Sequence, residues 1–178
     1  TKNLARPDFT QGLVHLTKRR KCKVSHFESG YKREGDGTEV PAFEVLKEII
    51  KDGFVRGSTT ESGYIRAPHT AVCFSEIPLW SMRFFAGGDE DRYESYGLTF
   101  SKRSIFEQGG RPVIYLPEAE IKGWVPEDER WRCVRFEHGT CDYTFEREWR
   151  KHGDLDLNEV LGICIIVNTV EEANEINA

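Results

Sequence analysis

The sequence predicts a single α+β domain, rich in strands and carrying a few short helices, and three observations lead there. Short runs of β-branched and aromatic residues recur along the chain between Gly, Pro and charged turns. Residues 42–51 repeat apolar side chains at helical spacing. No internal repeat, low-complexity tract or interdomain linker divides the 178 residues, a length that suits one domain with a substantial core.

Taken in order, Gly12-Leu13-Val14-His15-Leu16-Thr17 reads as an early strand, followed by basic Lys18-Arg19-Arg20-Lys21 and Lys23. Residues 29–40, with Gly30, Gly35 and Gly37 among charges, read as a flexible loop. Pro41 then opens a helix whose apolar residues fall at 42, 43, 46, 49 and 50, with Gly53 just past its end. A polar loop over 57–63 leads to Tyr64-Ile65-Arg66, and residues 71–75 form a strand ended by Glu76-Ile77-Pro78. Residues 79–85 suggest a short amphipathic helix closed by Gly87-Gly88. Strands are expected over 96–100 and 111–116, with a short helix over 101–108 between them and Pro112 at a tolerated position. Residues 118–130 form an acidic loop or helical excursion, and 131–136 and 143–150 two strands around a turn. The continuous apolar run 160–167 reads as a strand buried on both faces, and 170–178 as a short or frayed helix.

Composition narrows the function. A net charge of -5 and a pI near 5.6 give no broad electrostatic reason to bind nucleic acid or an anionic membrane. No apolar run is long enough for a transmembrane helix and no secretory signal is visible, so a cytoplasmic protein is expected. Five cysteines at irregular spacing suggest reduced thiols rather than a disulfide framework. Cys133, His138 and Cys141 lack the paired spacing of a structural zinc site, and no metal is expected. Walker, dinucleotide, zinc-protease and Gly-x-Ser-x-Gly motifs are missing, and Ser75 has no elbow glycines beside it.

The most charged segment is Phe145-Glu146-Arg147-Glu148-Trp149-Arg150. As a strand it projects Glu146, Glu148 and Arg150 from one face, and Phe145, Arg147 and Trp149 from the other. That ridge is either a solvated charge ladder or the acidic edge of a site. His15 shares a strand face with Leu13 and Thr17. It is either a buried, satisfied histidine or a donor placed beside a hydroxyl to hold a ribose diol.

In order, the blocks Leu13-Val14-His15-Leu16-Thr17, helix 42–51 with Asp52-Gly53, Val72-Cys73-Phe74-Ser75-Glu76, Tyr96-Gly97-Leu98-Thr99-Phe100 and Phe145–Arg150 resemble a known group. The chain is similar, over about residues 12–168, to the AbiGi-type abortive phage-resistance family and related uncharacterised bacterial domains. More distantly it resembles ADP-ribosyltransferase-like folds, including the DarT-like group, in which NAD lies between small, split antiparallel or mixed sheets. That resemblance implies NAD as substrate. His15 and Thr17 would come from an early strand, Phe74 and Ser75 from a middle one, and Glu148, with Glu146 as helper, from a late one. Tyr64, Phe74 and Tyr96 would be the rings available to stack nicotinamide, and Arg150 would meet a phosphate or neutralise Glu148. The activity implied is ADP-ribosyl transfer to a protein or nucleic-acid acceptor, or NAD hydrolysis, in phage defence or a toxin–antitoxin pair. The alternatives are a catalytically inactive protein that binds a phage or toxin component, and a metal-dependent nuclease using Glu146, Glu148 and a distant Asp to hold a divalent ion.

Overall fold

The computed structural model describes residues 10–20, 23–27, 30–34, 39–58, 65–66, 69–82 and 94–177. Tyr64, the end of the helix expected over 79–85 and Gly87-Gly88 lie outside them. Along the chain come β1 (Gly12–Leu16), β2 (Lys23–Phe27), β3 (Gly30–Glu34), α1 (Ala42–Asp52), β4 (Phe54–Val55), β5 (Ala71–Ser75) and α2 (Leu79–Met82). Next are β6 (Gly97–Ser101), α3 (Lys102–Glu107), β7 (Arg111–Pro112), β8 (Ile114–Leu116), α4 (Glu118–Trp124) and β9 (Cys133–Arg135). The chain continues through β10 (Glu148–His152), β11 (Leu155–Asp156), β12 (Cys164–Ile166) and α5 (Val170–Asn177). This is a small mixed α+β fold built on an antiparallel sheet.

That sheet has six strands in the order β12-β6-β1-β5-β10-β7, with each neighbouring pair antiparallel. Its register separates two faces. Leu13 opposes Phe100, His15 opposes Leu98, Trp149 opposes Phe74 and Lys151 opposes Val72, which puts all of these on one face. Leu46 of α1, Val55, Ile105, Leu155 and Val160 complete the main core against that face. Burying one such side chain contributes about 1.5–3 kcal/mol. Residues of the other parity, Val14, Cys73, Ser75, Glu148 and Arg150, line the second face. Two smaller apolar clusters lie there: Val14 and Ile77 with Leu16 and Ile166, and Ile65, Ala71 and Trp131 with Cys73.

Helix α1 follows the spacing that predicts it. Ala42, Val45 and Leu46 are buried, and Gly53 closes the helix at φ 72°, donating its N–H to the Ile49 and Ile50 carbonyls. Helix α5 starts on a reciprocal cap, with Glu172 N–H donating to Thr169 Oγ1 while Glu172 Oε2 accepts from the Asn168 and Thr169 amides. Arg66 grips Glu118 at 2.6 and 3.0 Å, and that hydrogen bonding pulls the carboxyl down to about 2.

Apart from the late block 143–150, four described segments differ from the sequence expectation. Residues 30–34, read as loop, pair with β2 in a hairpin, because backbone pairing needs no apolar pattern. The expected strand 111–116 is divided at Val113, whose N–H turns to the Glu148 carbonyl, so β7 joins the main sheet and β8 pairs with β9 in parallel. A 3-10 turn over Glu127–Arg132 delays β9 to Cys133. The apolar run 160–167 yields only β12, which has no neighbour but β6 among the described residues and leaves Cys164 and Ile165 exposed. Among the described residues no helix is long and apolar enough to cross a membrane.

Gly97 pairs with Leu16, and a Cβ there would overlap the His15 carbonyl oxygen and approach the Leu16 Cα to 2.9 Å. Gly97→Ala is therefore expected to destabilise the protein by about 1–3 kcal/mol. Gly123 lies inside α4, where an added Cβ meets nothing within 4 Å, so Gly123→Ala should stabilise by about 0.5–1 kcal/mol. Urea unfolding of both variants checks this, and equal midpoints would contradict the packing of β6 on β1.

Candidate active site

The early, middle and late blocks become consecutive neighbours, β1, β5 and β10. The ladders around them are unequal. Strands β1 and β6 match at five pairs, as do β5 and β10, but β1 and β5 are in register at one, Val14 with Ser75. Beyond that pair the His15 imidazole takes over: Nδ1–H donates to the Cys73 carbonyl at 2.8 Å. A carbonyl can only accept, which fixes the tautomer. A side-chain hydrogen bond thus stands beside a β1–β5 ladder that is limited to one pair.

The late block is not one straight strand. Thr144–Glu146 form a 3-10 turn, and Arg147 adopts φ 48°, ψ 50°, the left-handed region. Strand β10 therefore begins at Glu148, and Glu146 leaves the ridge on which sequence alternation places it. The end of β5 holds this kink. Ser75 Oγ donates to the Glu146 carbonyl at 2.6 Å, and the Glu76 amide donates to the Arg147 carbonyl at 3.1 Å. Tyr115 on β8 accepts the Glu148 N–H at 3.1 Å and donates to the Tyr143 carbonyl at 3.3 Å.

Glu148 and Arg150 do share a face, and they form the main feature of it. Arg150 Nε meets Glu148 Oε1 at 2.8 Å and Nη2 meets Oε2 at 3.2 Å, a two-point grip. Arg150 Nη1 donates to the carbonyls of Trp131 at 2.7 Å and Cys133 at 3.2 Å. The arginine side chain is 3% exposed and the glutamate 11%. A pair this dry persists because its hydrogen bonds are made. The Cys73 thiol lies alongside, and burial together with the Glu148 charge pushes it far above the usual thiol range, so it remains protonated. The pair thus presents a carboxylate held in place on the face that carries Ser75, where the β1–β5 ladder is limited to one pair.

The other sequence candidates sit elsewhere. His15, Thr17 and Phe74 lie on the core face. Burial holds the His15 imidazole below its ordinary pKa despite its bond to Cys73, and its ring packs edge-on to Phe74. Thr17 Oγ1 reaches the Ala42 carbonyl at 3.0 Å and the Tyr96 carbonyl at 3.2 Å. Phe74 is 2% exposed and packs edge-on to Phe100. Tyr96 packs tilted against Phe43 and donates its hydroxyl to Glu172 at 2.7 Å, tying α5 to the core. Of the predicted residues, the structure gathers Ser75, Glu148 and Arg150 on one face, with Glu146 in the adjoining turn. It adds Cys73 on that face, Tyr115 beside it and Glu76 behind it, none of them given a role from sequence; Cys73 and Glu76 carried a signal as the ends of the Cys-Phe-Ser-Glu block.

Among the described residues no three His, Cys, Asp or Glu side chains converge to hold a metal ion. On the core side, Gln11, Lys102, Arg103, Phe106 and Trp149 line an open groove of about 250 Å³. No protein-family model, curated protein or solved structure matches the chain.

Arg150→Met is expected to cost about 3–5 kcal/mol, since it strands a buried carboxylate, while adding Glu148→Met should recover about half or more. Chemical denaturation of the two variants measures this; an unchanged single variant would contradict the pairing. His15 also makes stability depend on pH. The unfolded chain takes up its proton near pH 6.5 and the folded chain only at lower pH, so the stability from the neutral ring is present above about 6.5 and lost as pH falls below it. His15→Gln should therefore lose less stability than wild type between about pH 7.5 and about pH 5.5 in urea unfolding. Identical losses would contradict the buried neutral ring.

Proposed function

We propose that the chain is an NAD-consuming, ADP-ribosyltransferase-like enzyme of bacterial phage defence or a toxin–antitoxin pair, with Glu148 as its catalytic carboxylate. The observation that carries this reading is the placement of Glu148, oriented by Arg150, in register with Ser75, the β5 residue that pairs with Val14 of β1. The adjacency of β1, β5 and β10 supports it, because the resemblance draws its functional groups from an early, a middle and a late strand.

In this reading the bond between nicotinamide nitrogen and ribose C1′ breaks with its electron pair leaving on nicotinamide, which departs neutral. Positive charge develops at C1′, and the Glu148 carboxylate stabilises it in a site of low dielectric. Arg150 keeps that carboxylate aimed through its two-point grip. A hydroxyl of a protein or nucleic-acid acceptor, or water, forms the new bond to C1′ and gives its proton to a base, for which Glu146 in the adjoining turn is the candidate. His15 and Thr17 act from behind, tying β1 to β5 and anchoring its end on α1, rather than touching ribose.

One observation favours a second reading, a non-enzymatic protein that binds a phage or toxin component. His15, Thr17 and Ser75 each engage a backbone carbonyl, so their polar groups are already satisfied within the fold. Exposed Trp80 and Trp124 would then serve docking.

Nicotinamide release from NAD, followed by chromatography, separates the two. Wild type should turn over NAD, and Glu148→Gln should lower kcat by about 10²–10³-fold while still unfolding cooperatively. A Glu148→Gln variant with full turnover would overturn the assignment of Glu148. A wild-type protein without turnover would leave the binding reading.

A further inference from the structure

Glu76 stands just past the end of β5, with its side chain on the core side and 16% exposed. Its Oε2 accepts the Trp149 indole N–H at 2.7 Å. Its Oε1 accepts from Lys102 Nζ at 2.6 Å and from Arg147 Nη2 at 3.4 Å. Its own amide donates to the Arg147 carbonyl at 3.1 Å. One residue therefore grips both chain neighbours of Glu148, Arg147 before it and Trp149 after it, from the face opposite the Glu148 carboxylate.

The backbone gives this grip its consequence. A non-glycine residue in the left-handed region is disfavoured and persists only where its surroundings determine it. Arg147 is in that region, and Glu76 holds it by carbonyl and by guanidinium. Trp149, next along, is buried in the core and hydrogen-bonded to the same carboxylate. With both neighbours held, the start of β10 has one path, and that path directs Glu148 onto Arg150.

From this we infer that Glu76 is the positioning residue of the Glu148 site. It acts through Arg147 and Trp149 without touching substrate, and its catalytic meaning rests on the NAD reading above. The mechanical statement is independent of that reading: loss of the Glu76 carboxylate loosens the Glu148–Arg150 pair on the opposite face.

The test follows the Arg150 Nε–H, which donates to Glu148, by NMR hydrogen exchange, alongside nicotinamide release. Glu76→Ala should speed exchange of that proton by about tenfold or more. It should lower kcat by about 10–10²-fold with KM changed less than about threefold. Glu76→Gln keeps an acceptor for Trp149 and should fall between wild type and Glu76→Ala, which also covers a Glu76→Ala chain that does not fold. Val160→Ala, a core truncation remote from β10, is the control for lost stability alone. If Glu76→Ala, or Glu76→Gln in its place, matches Val160→Ala in Arg150 exchange, Glu76 is merely structural and the inference is overturned. If wild type releases no nicotinamide, the NAD reading fails, and the Arg150 exchange comparison alone decides the role of Glu76.

Discussion

A guanidinium taken out of water must find partners for its charge and its N–H groups, and Arg150 is almost wholly out of water. Its solution joins three parts of the molecule. Two donors grip Glu148 on its own strand, and Nη1 reaches the carbonyls of Trp131 and Cys133, just before and at the start of β9. Arg150 thereby ties β9 to the main sheet, alongside the Tyr115 and Val113 hydrogen bonds that tie β8 and its approach to Glu148. The same fastening fixes the direction of a nearly buried carboxylate through two hydrogen bonds. Structure and proposed chemistry therefore depend on a single ion pair.

The two faces of the sheet divide the remaining work. On the core face, apolar rows from β6, β1, β5 and β10 pack against α1 and the segments around Val55, Leu155 and Val160. Among the polar residues there, His15 has its ring bonded to the Cys73 carbonyl beside the single β1–β5 pair. On the second face Glu148 stands in register with Ser75, the β5 residue that pairs with Val14 of β1. The end of β5 and the start of β10 are joined by Ser75 and Glu76, so the Cys-Phe-Ser-Glu and Glu-x-Glu-Trp-Arg blocks meet in space. Two motifs far apart in sequence are halves of one clamp.

What could be read from sequence follows from which forces leave a pattern. Helix α1 was legible because apolar spacing, Pro41 and Gly53 agree on its limits. Strands β1, β5 and β6 were legible as short apolar segments. The shared face of Leu13, His15 and Thr17, and that of Glu148 and Arg150, follow from alternation alone. Whether His15 and Glu148 share a face depends on register across two ladders, which no local pattern encodes. The position of Glu146 was hidden for a different reason: an arginine at positive φ has no sequence signature, and contacts from β5 determine it. The run 160–167 misled because an apolar strand looks the same at a sheet edge as at its centre.

The central claim is that the face carrying Glu148, where the β1–β5 ladder is limited to one pair, is the NAD site. An NAD titration followed by backbone-amide NMR tests it most directly. Saturable shifts concentrated at Leu16, Ser75 and Glu148, with the core-face pair Leu13 and Phe100 little changed, are the predicted result. Saturation with shifts confined to other surfaces, or no shift at about millimolar NAD, near the upper end of ordinary substrate affinities, would contradict it.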